Sequence, residues 1–134
     1  MILYPQINFG GNCEEAFRFY EQNLGGTIEL LFRAKDAPNA PPEADAAVIH
    51  ARLRIGGTIL IANDVPPAHF QPIRSVYLYL SVDSPEEAER VYALLAEGGQ
   101  IFMPIAETFF ATRFAQLRDR FGVSWSLIHP KAQP

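Results

Sequence analysis

The two halves of the chain resemble each other in sequence, and this internal repeat constrains the fold more than any other feature. Glu14-Glu15-Ala16 recurs as Glu86-Glu87-Ala88, 72 residues later. Ala51-Arg52-Leu53-Arg54 matches Ala115-Gln116-Leu117-Arg118 at an offset of 64. A repeat of this size indicates two copies of one supersecondary unit. Each unit alone would expose one apolar sheet face, so two units must pair, either within one chain or across a dimer.

Hydrophobic periodicity predicts the order β-α-β-β-β in both halves. The first half has strands at about 3–9, 27–33, 47–55 and 58–63, with a helix ending near residue 24. The second has strands at about 75–82, 100–103, 110–118 and 123–129, with a helix after residue 84. We therefore predict an α+β fold of two tandem βαβββ modules in a single domain. Module one covers about 1–66, a connector about 65–73, and module two about 74–130.

Both predicted helices carry their own start and stop signals. Asn12 with Glu15, and Ser84 with Glu87, have the spacing of a capping box. A pair of glycines follows each helix, and glycine adopts the left-handed conformation that ends a helix at little cost. The matching signals strengthen the interpretation as a repeat.

Composition and charge exclude several classes of protein. The net charge is −4 with scattered basic residues, whereas a nucleic-acid-binding surface needs a basic stripe. No apolar run approaches the ~20 residues that a membrane span needs. The first five residues lack a basic region and a cleavage site. We therefore expect a soluble cytoplasmic protein, with no nucleic-acid or membrane partner. Cys13 is expected to be a small buried thiol, the alternative being a thiolate stabilised at a helix start.

Three motifs resemble a known superfamily. They are the stretch from Asn8 to Phe17 followed by Phe19-Tyr20, the run Val48-Ile49-His50-Ala51 leading into Ile55-Gly56, and Asp119-Arg120-Phe121-Gly122-Val123-Ser124-Trp125. The chain is similar to the vicinal-oxygen-chelate superfamily, also called the glyoxalase, bleomycin-resistance and dioxygenase fold, and specifically to its PhnB-like branch. The resemblance implies an incomplete, cup-shaped β-barrel with helices outside. Members of this branch have been labelled demethylubiquinone methyltransferases, yet no Gly-rich nucleotide loop follows the first strand.

The resemblance also implies where a metal would bind. The positions used by metal-dependent members correspond here to Tyr4 (or Pro5), Ile61, Tyr77 and Ser126. None of these is a usual ligand of a divalent metal. The three histidines, His50, His69 and His129, fall in separate elements and have no metal-ligand spacing. We expect no metal and no cofactor.

Strand alternation assigns one set of side chains to the concave face of the cup. His50 is the candidate acid or base because histidine is the side chain best suited to proton transfer near neutral pH. Arg52 suits a carboxylate or phosphate, whereas Arg118 and Arg120 are expected to be solvated. The remaining predicted ligand-binding residues mix aromatic and hydrogen-bonding groups, as small-molecule pockets do: Tyr4, Gln6, Asn8, Asn63, Tyr77, Tyr79, Phe114, Gln116, Ser124 and Ser126.

Three functions fit this pattern. The first is a metal-free protein that binds a small molecule in the cup of a homodimer. The second is an enzyme, either metal-dependent through unusual ligands or using His50 as acid or base. The third is a dimeric scaffold whose cup is filled by its own side chains. A homodimer is expected because short half-sheets leave strand edges that a symmetric partner can cover.

Overall fold

A computed structural model describes residues 1–132 of the chain. Its elements follow the order β-α-β-β-β twice, so the α+β fold of two tandem βαβββ modules is confirmed. The backbone divides into two compact units, Met1–Gln71 and Pro72–Pro134. In the described part of the chain, no helix is long and apolar enough to cross a membrane.

Unit 1 is a four-stranded sheet covered on one face by a helix. Its elements are β1 (Gln6–Phe9), α1 (Cys13–Asn23), β2 (Thr27–Arg33), β3 (Val48–Ile55) and β4 (Thr58–Asp64), with short 3-10 turns at Ala34–Asp36 and Pro67–His69. The strand order is β1-β4-β3-β2, and only β1 and β4 run parallel. Phe9, Phe17, Tyr20 and Leu53 are among the fully buried side chains.

Unit 2 repeats this arrangement. Its elements are β5 (Leu78–Ser81), α2 (Pro85–Ala96), β6 (Gln100–Ala106), β7 (Ala111–Arg118) and β8 (Ser124–Pro130), in the sheet order β5-β8-β7-β6. Gln6 pairs with Ile61 in unit 1, and Tyr79 pairs with Ser126 in unit 2. These positions correspond at offsets of 73 and 65, within one residue of the offsets of the sequence repeat, so the strand register is repeated as well.

The two helices begin differently. Ser84 caps α2 as predicted, since its hydroxyl accepts from the N–H of Glu87 at 3.0 Å. At α1, the carboxylate of Asp64 accepts from the N–H groups of Gly11 and Cys13, both at 3.0 Å. The other oxygen of Asp64 accepts from the N–H of Val48 at 2.9 Å. Asp64 therefore caps α1 and ties its start to β3 and β4, so the side-chain acceptor at this helix start is Asp64 rather than the predicted Asn12.

One strand departs from simple alternation. Alternation places Ile49 against the helix and Val48 on the opposite face, but Val48 is 1% exposed and Ile49 is 52% exposed. The pairing of β2 with β3 shifts register between Phe32 and Arg33, the latter opposite Val48. A β-bulge changes which face successive side chains occupy, so the predicted positions of these two side chains are wrong.

Cys13 is a buried thiol. Its side chain is 0% exposed, and burial, followed by the negative charges of Asp64 and Glu14, raises the pKa of the thiol to about 12. Because the nucleophilic form of cysteine is the thiolate, Cys13 contributes packing at the start of α1 rather than reactivity.

Candidate functional site

Each sheet has one face packed by its helix and one face without a helix, here called the helix-free face. In unit 1, Ile7 and Phe9 are buried, while the alternate residues Gln6 and Asn8 are exposed. In unit 2, the paired residues Gln116 and Ser126 contact each other on the face opposite the buried Leu117 and Leu127. Most predicted ligand-binding residues lie on these two faces.

The helix-free face of unit 1 carries a group of amide side chains. The Nε2 of Gln6 donates to the Oδ1 of Asn63 at 2.8 Å, and it lies 3.4 Å from the Oδ1 of Asn8. Ile61 lies between Gln6 and Arg52, because it pairs with both. The structure therefore brings together Gln6, Asn8, Asn63 and Arg52 along three neighbouring strands.

An acid on β2 joins two arginines of β3. The Nε of Arg52 donates to Glu29 at 2.9 Å, and the Nε of Arg54 donates to the other carboxylate oxygen at 2.7 Å. These contacts, that of Arg54 foremost, lower the pKa of Glu29 below its ordinary value. The guanidinium of Arg52 also lies over the ring of Tyr4, 5.3 Å from its centre. Arg52 is therefore held from two sides, by a carboxylate and by an aromatic ring.

His50 lies on β3 opposite Phe32 and is exposed. In the described residues, no hydrogen bond orients its ring. A general base is normally held by a partner group in the correct orientation, so the geometry adds no support to the predicted catalytic role.

In unit 2, two serines of β8 are buried polar residues. Ser124 is 1% exposed and Ser126 is 6% exposed. The Oγ of Ser126 accepts from the Nε2 of Gln116 at 3.0 Å, and the Oγ of Ser124 accepts from the Nε of Arg118 at 3.3 Å. Two hydroxyls, an amide and a guanidinium thus lie side by side on neighbouring strands.

Aromatic rings lie beside this polar group. The guanidinium of Arg118 lies 5.2 Å from the centre of the Phe102 ring, and the rings of Phe102 and Tyr77 make an edge contact at 6.2 Å. Arg118 is half-buried rather than solvated, so the expectation for this residue is wrong. The alternation along β7 predicts only which face of the sheet Arg118 lies on. The residues that enclose Arg118 come from other strands.

Two predicted ligand-binding residues remain, Tyr79 and Phe114. Tyr79 on β5 is 66% exposed. Phe114 on β7 contacts Phe110, which in turn contacts Phe109, with ring centres 5.2 and 5.1 Å apart. Phe114 therefore belongs to an aromatic ladder that leads to the exposed Phe109.

The residues at the superfamily's metal positions do not fit a divalent metal. The hydroxyl of Ser126 accepts a hydrogen bond from Gln116, and the ring of Tyr4 contacts Arg52. The side chain of Ile61 has no atom that could coordinate a metal. Among residues 1–132, no group of three or more His, Cys, Asp or Glu side chains is placed to hold a metal. No chemical step is therefore assigned to a metal at these positions.

Sequence reasoning missed Phe102, Glu29 and Arg54, besides misplacing Arg118. A signal for the two arginines was present, because Arg54 and Arg118 are equivalent in the repeat. No signal marked Glu29 or Phe102, since both lie in strand irregularities, between Ile28 and Leu30 and between Ile101 and Met103.

The tandem βαβββ units and their sheet order are the fold of the vicinal-oxygen-chelate superfamily, and the predicted resemblance to its PhnB-like branch is confirmed. Within it, the chain belongs to the family described as 3-demethylubiquinone-9 3-methyltransferase, whose model matches residues 2–128.

Two relatives and one further structure illustrate the membership. Protein PA1353 from Pseudomonas aeruginosa is 42% identical, with a TM-score of 0.87 over 96% of this chain and 97% of that one. Protein YjdN of Escherichia coli K12 is 33% identical over 100% of this chain and 99% of its own. The PhnB protein from Bacillus cereus is 28% identical, with a TM-score of 0.83 over 96% of this chain and 99% of that one.

Proposed function

We propose that the chain binds a small organic molecule on a helix-free face, without a metal. The observation that carries the proposal is the burial of the Ser124 and Ser126 hydroxyls on the face opposite α2. A face used only for packing would bury apolar groups, because buried polar groups need directed partners. Hydrogen-bonding groups next to aromatic rings are the usual lining of a small-molecule site.

Binding is preferred over acid–base catalysis as the main function. His50 is exposed, and in the described part of the chain its ring lacks the hydrogen bond that would fix a general base in position. On the helix-free face of unit 2, the Ser124, Ser126 and Gln116 side chains beside Arg118 are neutral, so they suit recognition of a ligand better than proton transfer at neutral pH.

Methyl transfer, which the family description names, does not enter the proposal. A nucleotide-type cofactor often binds where a first strand passes through glycines into a helix. In this chain Asp64 already uses the N–H groups of Gly11 and Cys13 at that place. A second anion at the start of α1 would be repelled by this carboxylate.

A thermal-shift screen tests the binding proposal. The panel contains aromatic and aliphatic carboxylates, phosphonates, amides and alcohols. A binding compound at about 100 times its Kd should raise Tm by roughly 5–10 °C, because it stabilises only the folded state. Gln116→Met should reduce this shift, since it removes the amide that contacts Ser126. Gln22→Met on α1 should keep the shift and serves as the control, and a panel without any hit would refute the proposal.

The proposal includes a homodimer. β2 and β6 are edge strands, and they carry the exposed apolar side chains Phe32, Ile101 and Met103. Apolar edge strands favour pairing with another chain, and a symmetric partner is the most common solution. Sedimentation equilibrium should give about twice the 15.0 kDa chain mass. A particle of 15.0 kDa at micromolar concentration would contradict the dimer.

A further inference from the structure

The repeat allows the helix-free faces of the two units to be compared position by position. Arg54 pairs with Thr27, and the equivalent Arg118 pairs with Gln100. In both units the register then shifts past one residue of the edge strand, Glu29 in unit 1 and Phe102 in unit 2. A carboxylate in one unit is thus replaced by a phenyl ring in the other.

This replacement changes the surroundings of the arginine. Arg54 donates to the carboxylate of Glu29 at 2.7 Å. Arg118 instead contacts the ring of Phe102 and the hydroxyl of Ser124. Within residues 1–132, no carboxylate oxygen lies within ion-pair distance of the Arg118 guanidinium, although six other arginines have one.

A half-buried cation without a counter-charge is unfavourable in the free protein. An aromatic ring and a hydroxyl fix the position of the guanidinium but do not neutralise it. The guanidinium also presents several N–H donors in a planar fork that matches a carboxylate. Unit 2 therefore lacks the negative charge that Glu29 supplies in unit 1, and an external anion can supply it.

We propose that Arg118 binds the carboxylate of an aromatic acid, which supplies the negative charge that Glu29 supplies to Arg54 in unit 1. This inference rests on the proposed binding function and names its ligand class. The rings of Phe102 and Tyr77, 6.2 Å apart, supply the contact for the planar part of the ligand. Phosphonates share the oxyanion chemistry, but the internal template is a carboxylate.

The test uses sodium benzoate as the probe, with benzamide as its neutral analogue and phenylphosphonate as the alternative anion. Affinity is measured by NMR titration at constant ionic strength, following the Nε–H signal of Arg118. Benzoate should bind at least ~10-fold more tightly than benzamide, because hydrogen bonds to charged groups are the stronger ones. Tighter binding of phenylphosphonate than of benzoate would show that the Arg118 site does not prefer a carboxylate.

Two variants remove the site in different ways. Arg118→Met deletes the cation, and Phe102→Glu supplies the missing carboxylate internally, so both should abolish the preference for benzoate. Arg18→Met removes an exposed arginine of α1 instead and should leave benzoate binding unchanged. Far-UV circular dichroism establishes that each variant is folded, and Phe102→Glu provides the answer if Arg118→Met does not fold.

The outcomes separate the two proposals. Unchanged benzoate binding by Arg118→Met, or equal binding of benzoate and benzamide, would overturn the anion site while leaving a small-molecule binder intact. Failure of every neutral and anionic compound in the panel would instead overturn the binding function, and the anion site with it.

Discussion

Replacing Asp119 by alanine should lower the free energy of unfolding by roughly 3–5 kcal/mol, because three buried donors lose their acceptor at once. Oδ1 of Asp119 accepts from the N–H groups of Phe121 and Val123, both at 3.0 Å, and Oδ2 accepts from the Nε1 of Trp125 at 2.9 Å. Asp119 is 4% exposed, so water cannot easily replace the lost contacts. Urea denaturation followed by the fluorescence of Trp125, the single tryptophan, measures the change.

A matched control lies in the loop of unit 1. Asp45 also accepts from an N–H two residues later, that of Ala47 at 3.0 Å, but this contact is exposed. Water can take its place, so Asp45→Ala should cost less than about 1 kcal/mol. Similar losses for the two alanine variants would show that burial of the Asp119 carboxylate is not what matters.

The order of elements was predictable because its signals are local or repeated. The Ser84 cap, the glycines after each helix and the alternating strands lie within a few residues of what they determine. The repeat then indicated the same order of helix and strands a second time, in the other half of the chain. The fold class therefore followed from short-range patterns.

Contacts that join distant parts of the chain were not predictable in the same way. Asp64 reaches a helix start 51 residues earlier in the sequence, and no spacing rule connects the two. The bulges at Glu29 and Phe102 depend on how two strands pair, as does the reversal at Val48 and Ile49. A single shift of register moves side chains to the other face, so the faces were predicted well only where the strands are regular.

The candidate anion site shows why both kinds of information are needed. The sequence indicated that Arg54 and Arg118 are equivalent, but each was judged by its own strand alone. Pairing with the edge strand revealed that one arginine has Glu29 beside it and the other has Phe102. The difference in charge between the two units is therefore a property of the sheet rather than of any short motif.

Gly99→Ala should destabilise the protein by about 3 kcal/mol or more, because overpacking against rigid backbone is not easily relieved. A Cβ at this position would lie 2.2 Å from the carbonyl oxygen of Arg118 and 3.1 Å from the Cα of Asp119. The end of β7 would have to move away from the start of β6. Thermal unfolding monitored by far-UV circular dichroism measures the loss of stability.

The repeat supplies the control for this prediction, because Gly26 is the equivalent residue of unit 1. A Cβ there would lie 3.0 Å from the end of the Leu53 side chain and 3.2 Å from the carbonyl oxygen of Arg54. A side chain can shift by a few tenths of an ångström, so Gly26→Ala should cost only about 1 kcal/mol. Equal losses at the two sites would contradict the steric argument. Since Gly99 abuts the backbone of Arg118, Gly99→Ala should also weaken benzoate binding, whereas Gly26→Ala should not.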